Sequence, residues 1–131
     1  MRHGLLALCL LSASCWTPTE PPAPAHVGAY HLRSVDGHGL PFSIVETDSV
    51  TIQIQGRTME LQADGTFRDE VVLKVTAPRV STTLVDRGAG TYEAGSQGLS
   101  LAFHGGPTLP AALVGGHLDL LERGVLFRLS R

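Results

Sequence analysis

From Gly28 to the C-terminus, apolar and polar residues alternate along short segments that are separated by glycine, proline and aspartate. Tyr30 and Leu32, for example, alternate with His31 and Arg33. Residues two apart on a β-strand share a face, so this pattern predicts strands with one buried and one solvated face. No segment carries the longer apolar period of a helix of ten or more residues. The chain is therefore expected to be all-β.

Turn residues between these segments predict eight or nine short strands. Asp64-Gly65 is a strong hairpin signal, because a type I′ turn needs positive φ at both central residues. Gly56-Arg57 is interpreted as a tight turn, and the glycines at 88 and 90 are expected to end a strand. The candidate strands are Gly28–Val35, Phe42–Glu46, Val50–Gln55, Thr58–Ala63, Thr66–Thr76, Val80–Val85, Thr91–Ala94, Leu99–Phe103, one within Ala111–Leu121, and Val125–Ser130.

Strands joined by local turns favour an antiparallel up-and-down meander. Closure into a barrel removes exposed sheet edges that would otherwise aggregate, so a small barrel is expected, with an open sandwich as the alternative. An eight-stranded barrel is just wide enough to fill with side chains or to hold one small ligand. The expected interior residues are Tyr30, Leu32, Ile44, Val50, Ile52, Ile54, Met59, Leu61, Phe67, Leu99, Leu101, Phe103, Leu118, Leu120, Phe127 and Leu129. Those proposed to line a ligand cavity are Leu32, Ile52, Ile54, Met59, Leu61, Phe67, Leu101, Phe103 and Phe127.

Length and charge limit the classes of protein to which the chain can belong. The chain has 131 residues, enough for one domain, and is 43% hydrophobic and 17% charged, as in a globular protein. Ten cations are scattered among twelve anions, with no basic stripe of the kind that binds nucleic acid. Both cysteines, Cys9 and Cys15, precede the alternating region, so that region is expected to contain no disulfide. We expect a monomer that does not bind nucleic acid.

The first residues are typical of an export signal. Arg2 precedes an apolar run, residues 4–11, that is too short to span a bilayer but suits the core of a signal peptide. Leu11 to Ser14, followed by Cys15, resembles a bacterial lipobox, which implies that Cys15 receives diacylglycerol. The alternative is ordinary cleavage at Ala23-Pro24-Ala25.

These features divide the chain into a signal peptide at 1–14, a lipidated cysteine with a proline-rich tether at 15–27, and a barrel domain at 28–131. Four prolines between Trp16 and Pro24 favour an extended spacer. The predicted location is the cell envelope, with the protein lipid-anchored at the outer membrane or facing the periplasm.

Three motifs resemble the small lipocalin-like lipoprotein domains of bacteria. They are the opening Gly28–Gly37 with Leu40-Pro41 behind it, the hairpin Met59–Phe67, and the closing Gly124–Arg128. The resemblance implies an antiparallel barrel with space for an apolar interior. It also implies a structural pair in which Arg128 packs over the ring of Tyr30 and closes one end of the barrel.

No residue pattern predicts catalysis, a cofactor or a metal. The histidines at 26, 31, 38, 104 and 117 are irregularly spaced, unlike the ligands of a zinc site, and are expected to be solvated. Asp69 and Glu70 are adjacent, so on a strand they point to opposite faces instead of forming an acid–base pair, and both are expected to be solvated. Two functions remain: a barrel that binds a small hydrophobic ligand at the envelope, or a structural or interaction lipoprotein with a solid core.

Overall fold

The structure is a computed structural model, and it describes residues 24–96 and 98–131. In these residues the chain forms nine strands and no helix. The strands are β1 (Gly28–Val35), β2 (Phe42–Glu46), β3 (Thr51–Leu61), β4 (Thr66–Ala77), β5 (Val80–Gly95), β6 (Gly98–Phe103), β7 (Thr108–Val114), β8 (His117–Glu122) and β9 (Val125–Ser130).

The nine strands form one antiparallel sheet that closes on itself. The order is β1-β9-β8-β7-β6-β5-β4-β3-β2, and β1 also pairs with β3. Gly28–His31 pair with Thr58–Leu61 of β3, and the second half of β1 pairs with β9. Closure therefore uses eight strands and leaves β2 as an additional strand on β3. The predictions of an all-β fold and an up-and-down antiparallel barrel are confirmed.

Two predicted strand breaks are wrong. Gly56-Arg57 makes no turn, because β3 continues through both residues and remains paired with β4 from Thr51 to Leu61. Glycines 88 and 90 do not end β5, which runs unbroken from Val80 to Gly95. In contrast, the single strand expected within 111–121 is two strands, β7 and β8, joined by a turn at Gly115-Gly116 where both glycines have positive φ.

A β-bulge in β3 determines which side chains enter the barrel. The register with β4 shifts between Ile54 and Gly56, so one extra residue is inserted at Gln55. Even-numbered Ile52 and Ile54 face inward before the bulge, whereas odd-numbered Met59 and Leu61 face inward after it. The bulge also turns Arg57 toward the interior, where a strict alternation from Ile54 would have placed Gly56.

Sixteen apolar side chains form one buried cluster that fills the barrel, the largest being Tyr30, Phe67 and Met59. Gly90 permits this packing, because a Cβ there would lie 2.0 Å from the carbonyl oxygen of Ala102 and 2.8 Å from the Phe67 ring. Three residues assigned to the interior lie outside this cluster and the side chains packed against it, and one of them, Ile52, is half-buried in β3. Ile44 lies at a bulge in β2 and is 48% exposed, and Val50 precedes β3 and is half-buried.

The signal peptide at 1–14, Cys15 and most of the tether lie outside the described residues. In the described part of the chain, no helix is long and apolar enough to cross a membrane.

Candidate functional site

One end of the barrel, here called the Tyr30 end, is closed by Arg131. Its guanidinium lies 5.2 Å from the ring centre of Tyr30 and donates a 3.0 Å hydrogen bond to the Tyr30 hydroxyl. It also donates to the carbonyl oxygens of Ala25 and Val27, while Tyr30 donates to that of His26 at 2.8 Å. The segment that leads into β1 is thereby held across the Tyr30 end.

The predicted pair of Tyr30 with Arg128 is therefore corrected: the arginine over the ring is Arg131. Leu129 and Phe127 of β9 point inward, so Arg128 between them points outward. There it forms a two-pronged ion pair with Asp119 of β8, with both N–O distances 2.8 Å. This hydrogen-bonded guanidinium lowers the pKa of Asp119.

The opposite end, here called the Arg57 end, carries a buried ionic cluster. Arg57 is 5% exposed and donates to both carboxylate oxygens of Asp69, at 2.9 and 2.7 Å, and to Glu122 at 2.9 Å. Its guanidinium lies 5.1 Å from the ring centre of Phe127. One side chain thus joins β3, β4 and β8 beneath the Arg57 end, and arginines cover aromatic rings at both ends of the barrel.

The two carboxylates stabilise the charged form of Arg57 against the cost of burial. Burial by itself lowers the pKa of Arg57, but the hydrogen bonds and negative charges of Asp69 and Glu122 outweigh burial and raise it. Sequence reasoning missed this cluster and expected Asp69 to be solvated. The only sign of the cluster in the sequence is a charged residue at an inward position of β3, of β4 and of β8. The inward position of Arg57 depends on the bulge.

The predicted lining residues are side chains of the core or its edge. Seven of the nine are buried, and Ile52 and Phe103 are half-buried. Phe103 packs edge-on against Phe67 with ring centres 4.8 Å apart. The structure therefore places these residues together as packing partners, and whether any of them contacts a ligand stays a prediction.

Beyond the Arg57 end, part of the sheet continues past the barrel. β1 pairs with β3 only at 58–61, and β6 pairs with β5 only from Gly90 onward. Four segments therefore extend outside the closed wall: β2, residues 51–56, residues 71–77 and residues 80–88. We refer to these four segments as the projecting sheet.

The face of the projecting sheet that continues the barrel interior is apolar. Directly opposite residues on antiparallel strands share a face, and Phe67 and Asp69 establish the inward face of β4. A first row across the sheet is Phe42, Ile54, Leu73 and Leu84, and a second is Val45, Ile52, Val75 and Thr82. Leu84 is 50% exposed and Val80, near the hairpin tip, is 62% exposed. Exposure therefore rises toward β5.

A cavity of about 260 Å³ lies at the base of the projecting sheet, between β5 and the β6–β7 loop. Arg57, Asp69 and Glu122 contribute to its wall together with Asp86 and Arg87 of β5. Because the Arg87 side chain points to the outer face and pairs with Glu70, the charged side chains that face this cavity carry one positive and three negative charges. Two larger grooves, of about 560 and 420 Å³, include exposed residues of the outer barrel surface, among them Glu60, Arg68, Glu93 and Ser100.

No group of three or more histidine, cysteine, aspartate or glutamate side chains in residues 24–96 and 98–131 is arranged to hold a metal ion. His31 and His117 are exposed on the outer face of the barrel. Comparisons of the chain with protein-family models, with curated proteins and with solved structures gave no match.

Proposed function

We propose that this protein is an exported, lipid-anchored envelope protein in which a lipocalin-like barrel acts as a solid support and the projecting sheet contacts a partner. The single observation that carries the proposal is the apolar face of that sheet. Monomeric proteins rarely expose large contiguous apolar patches, and such patches are typical of interaction sites. Leu84 and Val80 extend this surface from the core into solvent.

The filled interior favours a role for the barrel as a rigid scaffold that holds the projecting sheet. Sixteen buried apolar side chains occupy it, and Arg57 and Arg131 lie over aromatic rings at its two ends. Small-molecule sites usually offer about 300 Å³ or more of concave space. A hydrophobic ligand deep inside the barrel would have to displace part of this packing.

The position of the tether suits an outward-facing interaction surface. The segment from Pro24 to Val27 enters β1 at the Tyr30 end, and the projecting sheet leaves the barrel at the Arg57 end. An anchor at Cys15 would hold the Tyr30 end near the membrane. The apolar sheet would then point away from that membrane and toward other envelope components.

A second candidate function, binding of a small hydrophobic ligand, is favoured by the cavity at the base of the sheet. An apolar ligand could lie against Leu73 and Leu84 with its end in that cavity. Titration with an environment-sensitive dye and fatty acids tests this candidate. Saturable one-to-one uptake that is lost in Leu84→Ser and kept in the outer-face variant Ser100→Ala would replace the partner proposal with a carrier role.

The experiment for the proposed function places a photo-crosslinking amino acid at position 84 in cells that also receive a clickable fatty acid. We expect fatty-acid label that is lost in Cys15→Ala, together with a discrete crosslinked species that does not form from position 100 on the outer barrel face. Crosslinking that is equally weak at both positions would contradict the proposed interaction surface. Absence of fatty-acid label on the unaltered chain would contradict the anchor.

A further inference from the structure

The outer edge of β5 is an unpaired strand edge in the part of the chain that the structure describes. The whole of β4 pairs with β5, from Ala77 opposite Val80 to Thr66 opposite Thr91. On the other side, β6 pairs with β5 only from Gly90 to Gly95. Residues 80–88 therefore have a strand neighbour on one side alone.

Two hydrogen bonds establish which residues of β5 face this edge. The amide of Tyr92 donates to the carbonyl of Gly65 at the β4 side, and the carbonyl of Ala89 accepts from the amide of His104 at the β6 side. Both backbone groups of a residue in an antiparallel strand point to the same side, and the side alternates along the strand. Even-numbered residues thus bond to β4. Odd-numbered residues, namely Ser81, Thr83, Val85 and Arg87, present their amide and carbonyl groups to the free edge.

Between Val80 and Val85 this edge lacks the usual protection of exposed strands, and its only charges, Asp86 and Arg87, lie at its base. Edge strands are commonly shortened, interrupted by proline or a bulge, or lined with lysine. Residues 80–88 contain no proline or lysine, and β5 pairs with β4 without a register shift. The segment Val80–Val85 also carries the β-branched and aliphatic residues that favour strand pairing. The edge is therefore well suited to receive another strand.

We propose that an extended segment of a partner protein adds to the β5 edge as an antiparallel strand. The inference rests on the proposed function and specifies how the partner binds. An antiparallel strand would form pairs of hydrogen bonds with the four edge-facing residues, and apolar side chains on it would extend the row that ends at Leu84. Backbone pairing would supply affinity, and the side chains of β5 would supply selectivity.

The charges at the base of the edge define the chemistry of the partner segment. Asp86 lies on the inward face and contributes to the cavity that Asp69 and Glu122 also line. A basic residue opposite Asp86 would therefore face a wall with net negative charge. Arg87 is on the outer face and already pairs with Glu70 of β4 at 2.9 Å. An acidic residue of the partner opposite Arg87 would give it a second carboxylate on its other side. Directly opposed unlike charges stabilise cross-strand pairs.

The position of the N-terminal segment argues for a foreign strand instead of a second copy. Antiparallel pairing of two β5 edges would place the two Pro24 ends at opposite ends of the dimer. Copies anchored through Cys15 to one membrane would instead present their β5 strands in the same direction. The residues between Cys15 and Pro24 include four of the chain's eight prolines, which lack the amide donors that an added strand needs.

The probe is a capped eight-residue peptide containing, in order, glutamate, lysine, valine, isoleucine, threonine, valine, threonine and valine. Aligned antiparallel, its glutamate lies opposite Arg87, its lysine opposite Asp86 and its final valine opposite Val80. Its odd-numbered positions would then face the β5 edge. Binding to the purified, exported protein is measured by fluorescence anisotropy, and the contacted amides are identified by NMR.

We expect saturable binding with shift changes centred on residues 81–87. N-methylation of peptide positions 3 and 5 should weaken binding by about tenfold or more, because those amides would donate to β5. N-methylation of positions 4 and 6 should be tolerated, because those amides point away. In the protein, Val85→Pro should abolish binding without removing a bond to β4, and Val85→Thr should retain it.

Equal effects of the two methylated peptides, or no saturable binding, would overturn strand addition. Crosslinking from position 84 separates this result from failure of the proposed function. Adducts with another protein but no peptide binding would leave the interaction surface in place and refute the edge mechanism. Adducts at twice the mass of the chain, with protected amides at 81–87, would show that the occupant is a second copy and would refute the foreign strand.

Discussion

Arg57 and Asp69 form a two-pronged ion pair inside the wall of the barrel, with side chains only 4% and 6% exposed. The residues are twelve apart in sequence and lie on neighbouring strands, and Glu122 from β8 binds the same guanidinium. A charge this deeply buried is tolerated because all three groups are hydrogen-bonded. The cluster couples β8 to β3 and β4 across the Arg57 end.

Removing one member of this cluster should greatly reduce the stability of the fold, whereas replacing both members of the buried pair by apolar residues should reduce it less. Asp69→Leu or Arg57→Met leaves one member of the buried pair without the other, and each is expected to reduce the free energy of unfolding by about 3 kcal/mol. The double variant Arg57→Met/Asp69→Leu should lose less than either single variant, because Glu122 is partly exposed and can turn to water. Denaturant unfolding of all three measures this, and additive losses would contradict the coupling.

Gly90 should not tolerate a side chain. Alanine there would place Cβ against the Ala102 carbonyl and the Phe67 ring, which forces β5 away from β6. We expect Gly90→Ala to destabilise the fold by about 1–3 kcal/mol or more. Gly56→Ala is the matched control, because nothing lies within 4 Å of its added Cβ. Similar melting temperatures for the two variants would contradict the described packing.

The two arginines near the C-terminus should differ in importance. Arg131→Gln removes the cation over Tyr30 and the bonds to the segment before β1, at a cost of about 1 kcal/mol. Arg128→Gln removes only an outer-face ion pair and should cost less. Thermal melts rank the variants, and a larger loss for Arg128→Gln would favour the pairing that the family resemblance implied.

Asp119 should make the free energy of unfolding depend on pH in the acid range. Arg128 lowers the pKa of Asp119 in the folded state, so the stabilisation is complete above the ordinary aspartate pKa of about 4 and disappears as the pH falls through the folded value. Asp119→Asn is expected to cost less than about 1 kcal/mol at pH 7 and progressively less as the pH falls below about 4. Unfolding of this variant and of the exposed control Asp48→Asn is compared across pH. A difference that persists unchanged at pH 2 would contradict the assignment.

The alternation of side chains was sufficient to predict the sheet class and most strand positions, because burial on one face imposes a period of two. It could not predict that β3 continues through Gly56, since a bulge adds one residue and changes which face the later residues occupy. Gly88 and Gly90 looked like strand breakers, but they are the residues whose missing side chains let β5 pass close to Phe67 and Phe103.

The candidate site was less accessible to sequence reasoning. The ion cluster joins residues 12 and 65 positions apart, and no local pattern connects Arg57 with Glu122. The projecting sheet depends on where β1 and β6 stop pairing with β3 and β5, which is a property of strand register. The alternating segment at 50–55 and the valine-rich segment at 71–75 were visible as strands, but nothing in their pattern indicates that they extend past the barrel.

Amide hydrogen exchange along β5 tests most directly whether the projecting sheet carries a free edge. We expect an alternating profile from 80 to 88: amides of Thr82, Leu84 and Asp86 are protected by β4, and those of Ser81, Thr83, Val85 and Arg87 exchange rapidly. From Gly90 to Tyr92, where β5 has β4 on one side and β6 on the other, amides on both sides of the strand should be protected. Uniform protection of residues 80–88 would contradict a free edge, and uniformly rapid exchange there would contradict the sheet itself.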